Sequence, residues 1–69
     1  MDAQKNMTKR NPTPQSIKQL RILAGITQSQ AAAMLHTTSR VWQQWERGDR
    51  GMHGAFWELF RIKLQIRSS

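Results

Sequence analysis

The chain has 69 residues, enough for one small domain. Eleven Lys and Arg stand against four Asp and Glu, a formal net charge of +7, and there are no cysteines. Disulfides and Cys-ligated zinc are thereby excluded, and the excess charge favours an anionic partner, nucleic acid before a membrane surface.

Residues 1–12 are polar and basic with no apolar periodicity, and read as a flexible arm. Lys5, Lys9 and Arg10 are either a solvated tail, the usual state of chain ends, or an arm lying along phosphates. Residues 13–69 form the folded domain. Its first helix is predicted from Pro14 to Ala24, with Thr13 as cap, Pro14 in the first turn and Gly25 as the stop. Ile17, Leu20 and either Leu23 or Ala24 share its apolar face. The second helix follows Thr27, whose "TQSQ" string pairs Thr27 with Gln30 as a capping box. Ala31, Ala32 and Leu35 face inward from it. Thr38 caps the third helix, which runs to about Arg47 and stops at Gly48. "DRGMHG" is a loop, and a last helix, rich in apolar residues, covers about 54 to 66. Nothing alternates with period two, so the fold class is all-α, a compact set of four helices.

The loop "HTT" between the second and third helices is short, so those helices must cross steeply, with Ala32 small enough to allow it. Trp42 and Trp45 are three apart and share a face. Core packing is the reading favoured by that spacing; stacking on bases is the alternative. With the indoles inside, Ser39, Arg40, Gln43 and Gln44 point outward. These are side chains that hydrogen-bond base edges: Arg to guanine, Gln to adenine, Ser to base or phosphate. Gln43 could equally be a merely solvated residue. Met34 and Met52 read as gap fillers and His36 and His53 as loop or cap residues.

The run "IKQLRILAGITQSQAAAMLHTTSRVWQQWERG", residues 17 to 48, resembles the helix-turn-helix of the lambda-type repressor family, also called the Xre family. An apolar residue, Leu-Arg, Gly-apolar-Thr-Gln, an Ala pair and a terminal Trp-Glu-x-Gly occur in order and in register. The tail "WERGDRGMHGAFWELFRIKL" is similar to small regulators of phages and mobile elements, including anti-CRISPR-associated autorepressors. The resemblance implies base contacts from Ser39, Arg40 and Gln44, with Gln43 beside them. It implies phosphate contacts from Gln28, Thr38, Arg47 and Arg50. It also implies a structural ion pair between Arg21 and Glu46 that fixes the pose of the third helix. One departure is His36, at a turn where the family commonly has Gly. Positive φ is expected there, which His tolerates better than most residues.

The last helix carries more apolar side chains than so small a domain can cover. Ala55, Leu59, Ile62 and Ile66 form one stripe, with Phe56 and Phe60 beside it and Trp57 and Leu64 on another side. Part of this caps the core; the surplus is expected to form a two-fold homodimer interface, assigned to Trp57, Phe60 and Leu64. Such a dimer would set two readers about one DNA turn apart on an inverted repeat.

Together these features predict a sequence-specific regulator of double-stranded DNA, a repressor in a bacterial or phage-infected cytoplasm. The alternative is an antitoxin that holds its toxin through the last helix. A basic membrane peptide is disfavoured because caps and glycines break the chain into short helices. The longest wholly apolar run, Ala31 to Leu35, is far too short to span a bilayer, and "MDAQKNMTKRNPTP" has no apolar core of a signal peptide. An enzyme is not expected, since neither His has a sequence-evident carboxylate partner. No cofactor, metal or small-molecule ligand is expected either, because no acid stands at a ligand spacing from a His.

Overall fold

A computed structural model describes residues 11–68. Four helices follow in order: α1 (Pro14–Leu23), α2 (Gln28–Met34), α3 (Ser39–Arg47) and α4 (Gly54–Ser68). No strand occurs among the described residues. Residues 1–10 of the expected arm lie outside them. Asn11, placed in that arm by its sequence, belongs to the folded domain: its side-chain oxygen accepts the Gly54 N–H at 2.9 Å, at the start of α4.

Three threonines start three helices by one mechanism. Each hydroxyl oxygen accepts the backbone N–H three residues on: Thr13 from Ser16, Thr27 from Gln30 and Thr38 from Val41, at 3.1, 3.0 and 3.2 Å. Each thus satisfies a free amide of the first turn, which typically contributes about 1 kcal/mol. At α2 the capping box is complete, because Gln30 Oε1 accepts the Thr27 N–H at 2.9 Å. The α4 start differs: His53 supplies the cap, its Nδ1 accepting the Ala55 N–H at 3.0 Å.

The stops also share one mechanism. Gly25, His36 and Gly48 take φ of 72°, 58° and 82°. Each reversal lets two backbone N–H groups fold back onto the final turn. Gly25 and Ile26 donate to Ile22 and Arg21, His36 and Thr37 to Ala33 and Ala32, and Gly48 and Asp49 to Trp45 and Gln44. Carbonyls that a helix end would leave unpaired are satisfied in this way. The turn at His36 therefore survives its departure from glycine, and α2 does not run on into it.

The core is Ile17, Ile26, Ala31, Ala32, Leu35, Trp42, Trp45, Met52 and Phe60, all buried. α3 packs against both α1 and α2, and α4 against α2. Ala31 and Ala32, fully buried, keep α2 close to α3. Ala24, not Leu23, completes the inner face of α1; Leu23 is 83% exposed. Phe60 lies edge-on to Trp42 with ring centres 5.0 Å apart, and Trp45 packs edge-on to Trp42 at 5.5 Å. Such geometry suits the aromatic quadrupole. Lys63 Nζ donates to the Met34 carbonyl at 2.7 Å, placing a cation at the C-terminal end of α2, where the helix dipole favours it.

One expectation is overturned. Phe60, assigned to a partner interface, is 0% exposed and belongs to the chain's own core. Trp57 and Leu64, assigned with it, are half-buried and packed against that core. They lie on the inner side of α4 with Phe60, which packs on Trp42, and Trp57 packs in turn on Phe60 with ring centres 6.4 Å apart. The side left open carries Leu59, Ile62 and Ile66.

Candidate nucleic-acid interface

α3 is amphipathic in a way that divides anchor from reader. Trp42 is fully buried and Trp45 nearly so, and half-buried Val41 packs beside them. On the opposite side Arg40, Gln43 and Arg47, spaced three and then four apart, line an exposed ridge. Ser39 and Gln44 flank it, half-buried. Among the described residues, the side chains of Arg40, Gln43 and Gln44 carry no hydrogen bond or ion pair. All four predicted base-reading residues thus sit on one helix, on its open side or the edges of that side.

The pose of this helix is set by Glu46. Its carboxylate accepts from three helices' worth of donors. Arg21 of α1 gives Nε to Oε2 at 2.6 Å and Nη2 to Oε1 at 3.2 Å. Gln28 of α2 gives Nε2 to Oε1 at 3.0 Å. Trp42, one turn back on α3, gives its indole N–H to Oε2 at 2.6 Å. Arg21 Nη1 also donates to the Ile26 carbonyl at 3.0 Å, so the guanidinium is held at both ends. The Arg21 and Glu46 side chains are 14% and 5% exposed, dry enough for the pair to matter and fully enough bonded to be tolerated. Burial alone would raise the Glu46 pKa. The hydrogen bonds from Arg21, Trp42 and Gln28, with the Arg21 charge, outweigh it and hold the carboxyl below its ordinary value.

The predicted phosphate contacts divide into two kinds. Thr38 Oγ1 accepts the Val41 N–H, which leaves the hydroxyl hydrogen to donate outward. Gln28 spends one N–H of its amide on Glu46 and keeps the other. Arg50 is exposed, with no side-chain bond among the described residues. Arg47 is exposed as well, but Asp49 holds it at 3.1 Å through Nε and 3.0 Å through Nη2. Its charge is thus partly neutralised before any anion arrives. The Gln44 carbonyl accepts the N–H groups of Asp49 and Arg50 at 3.0 and 3.3 Å, which fixes the turn that carries Arg50.

Four supporting contacts had no place in the sequence reading. Trp42 to Glu46 had a readable signal, the helical spacing of four. Gln28 to Glu46, Asn11 to Gly54 and Lys63 to Met34 cross between elements, two of them onto backbone atoms, and leave no pattern in the sequence.

No protein-family model matches the chain. A stretch of 52 residues, 75% of this chain, is 35% identical to part of the type II methyltransferase M.MspI from Moraxella sp.. The chain spans 12% of the length of that relative.

Proposed function

We propose that this chain is a sequence-specific binder of double-stranded DNA that regulates transcription, a repressor whose α3 enters the major groove. The observation that carries this reading is the orientation of α3. Both indoles are anchored in the core, and Arg40 and Gln43 stand exposed on the far side, unpaired among the described residues and flanked by Ser39 and Gln44. Unpaired guanidinium and amide groups on a rigid helix meet base edges without first breaking other bonds. The four-way grip on Glu46 supplies that rigidity. The net charge of +7 supports attraction to a polyanion, and Arg50 with Thr38 and Gln28 offers donors for the backbone. The likeness of residues 17 to 48 to lambda-type repressors agrees with this use of the helix.

The test is selection of bound duplexes from a random library, with footprinting on DNA upstream of the protein's own gene. The small autorepressors that its tail resembles make that DNA the first to try. A defined sequence, protected in the major groove, is expected. Binding with no sequence preference above background would overturn the reading.

A further inference from the structure

Between α3 and the start of α4 the surface folds into an open cleft of about 300 Å³. The turn before α3, α3 itself, the loop after it and the first turn of α4 all contribute, so no spacing in the sequence announces it. Val41, Trp45 and Phe56 make its lining apolar. Trp45 and Phe56 lean on each other with ring centres 5.6 Å apart and planes 38° off parallel. Trp45 keeps 4% of its surface open and Phe56 42%, so the phenyl ring offers the larger free face. The polar groups set into this lining are donors. Arg50 is exposed and makes no side-chain bond among the described residues. His53 Nδ1 accepts the Ala55 N–H, so the neutral ring carries its proton on Nε2, which is left to donate. Thr37 adds a hydroxyl with no hydrogen bond among the described residues. No acid lines the cleft, and Asp49, next to Arg50 in the chain, is turned to Arg47.

We infer that this cleft binds a small planar aromatic carboxylate. An apolar, aromatic lining with a few convergent polar groups is the usual make-up of a small-molecule site. The volume stands at the low end for such sites, room for one or two rings. The ligand ring lies on Phe56 and the open edge of Trp45, offset or edge-on as aromatic quadrupoles prefer. Its carboxylate takes the paired N–H groups of the Arg50 guanidinium, whose planar fork matches two carboxylate oxygens. His53 Nε2 and the Thr37 hydroxyl offer further donors for the lone pairs that remain. An uncharged ring forgoes the fork, and a cation meets Arg50 unfavourably. Arg50 is also a donor proposed for the DNA backbone, so ligand and phosphate compete for it, but the binding itself does not rest on that reading.

The test is a titration of the isotope-labelled full chain with naphthoate, followed by amide NMR in the absence of DNA. Saturable shifts are expected at Thr37, Gly51, His53 and Phe56, with a Kd on the order of 1 mM or below for so few ligand atoms. Naphthamide, the uncharged isostere, should bind roughly tenfold more weakly, the worth of one charge-assisted fork. Arg50→Ala should weaken naphthoate by a similar factor and leave naphthamide unchanged. Arg61→Ala, on α4 outside the cleft, should change neither. No saturable shift, equal binding of the two probes, or a preference untouched by Arg50→Ala overturns the proposal. Shifts confined to Leu59, Ile62 and Ile66 put the ring on the exposed side of α4 and overturn it as well. Thymidine monophosphate binding more tightly than naphthoate would make the cleft a phosphate seat and overturn the carboxylate class. Each of these outcomes leaves the DNA reading standing, since no duplex is present.

Discussion

Trp42 and Glu46, one turn apart on α3, are joined by an indole N–H donated to carboxylate Oε2 at 2.6 Å. The same acid binds Arg21 from α1 and Gln28 from α2, so one side chain ties the reader to both helices behind it. Glu46→Ala removes the acceptor of the Trp42 indole and the Gln28 amide and leaves the half-buried guanidinium of Arg21 with only the Ile26 carbonyl. A loss of about 3–5 kcal/mol is expected, most of what so small a domain holds. Thermal melting checks it; a midpoint within a few degrees of the parent would mean that Glu46 is not the tie.

The same acid predicts a pH dependence. Its folded pKa lies below the ordinary 4.5. The ionised form is therefore favoured by folding, and its contribution is fully present above the unfolded value. It is lost as pH falls below about 4.5 through the depressed folded value. Melting midpoints should drop in acid, and Glu46→Gln should flatten that drop. An equal drop in the variant would assign acid sensitivity elsewhere.

Base reading is separable from general attraction. Arg40→Ala or Gln44→Ala should cost about 1–3 kcal/mol on the selected sequence, with much less change on random duplex. Competition binding against both DNAs reads the difference. Loss of the same size on each would take these side chains off the list of base contacts.

Arg50 and Arg47 should behave differently although both are exposed. Arg50→Ala is expected to reduce the slope of log affinity against log salt by about one. Arg47→Ala should do less, because Asp49 already holds that guanidinium. Asp49→Asn should strengthen binding to any duplex. A salt titration in which Asp49→Asn binds no better than the parent would remove Asp49 as a brake on Arg47.

At the α2 stop, His36→Gly should raise stability by about 0.5–1 kcal/mol. A side chain at φ of 58° is strained by roughly 1–2 kcal/mol, and glycine's extra freedom when unfolded returns part of the gain. Denaturant titration measures it. A variant less stable than the parent would mean that the imidazole makes a contribution of its own.

The helices were legible in the sequence because their ends are chemical: Thr13, Thr27 and Thr38 start them, and Gly25, His36 and Gly48 stop them. The buried pair on α3 was legible from spacing. The side of α4 that meets the core was not. That helix is apolar around most of its circumference, so periodicity offers two inner faces of similar merit. The choice is made by Trp42, whose edge-on contact with Phe60 pulls one face inward and leaves Leu59, Ile62 and Ile66 out. Whether Arg47 was a free cation also depended on something sequence alone leaves open, the side-chain rotamer that meets Asp49. Leu23 and Ala24 competed for one position, and an end-of-helix turn at Gly25 decided for the smaller.

The three left-handed stops have a kinetic corollary. Each of the first three helices is halted by bonds among neighbours in the chain, so its boundary is set before any distant surface docks. Little loop-closure entropy then stands between the unfolded ensemble and the native topology, and refolding should be complete within microseconds to milliseconds. Stopped-flow mixing would register it as a burst lost in the dead time or as one fast exponential.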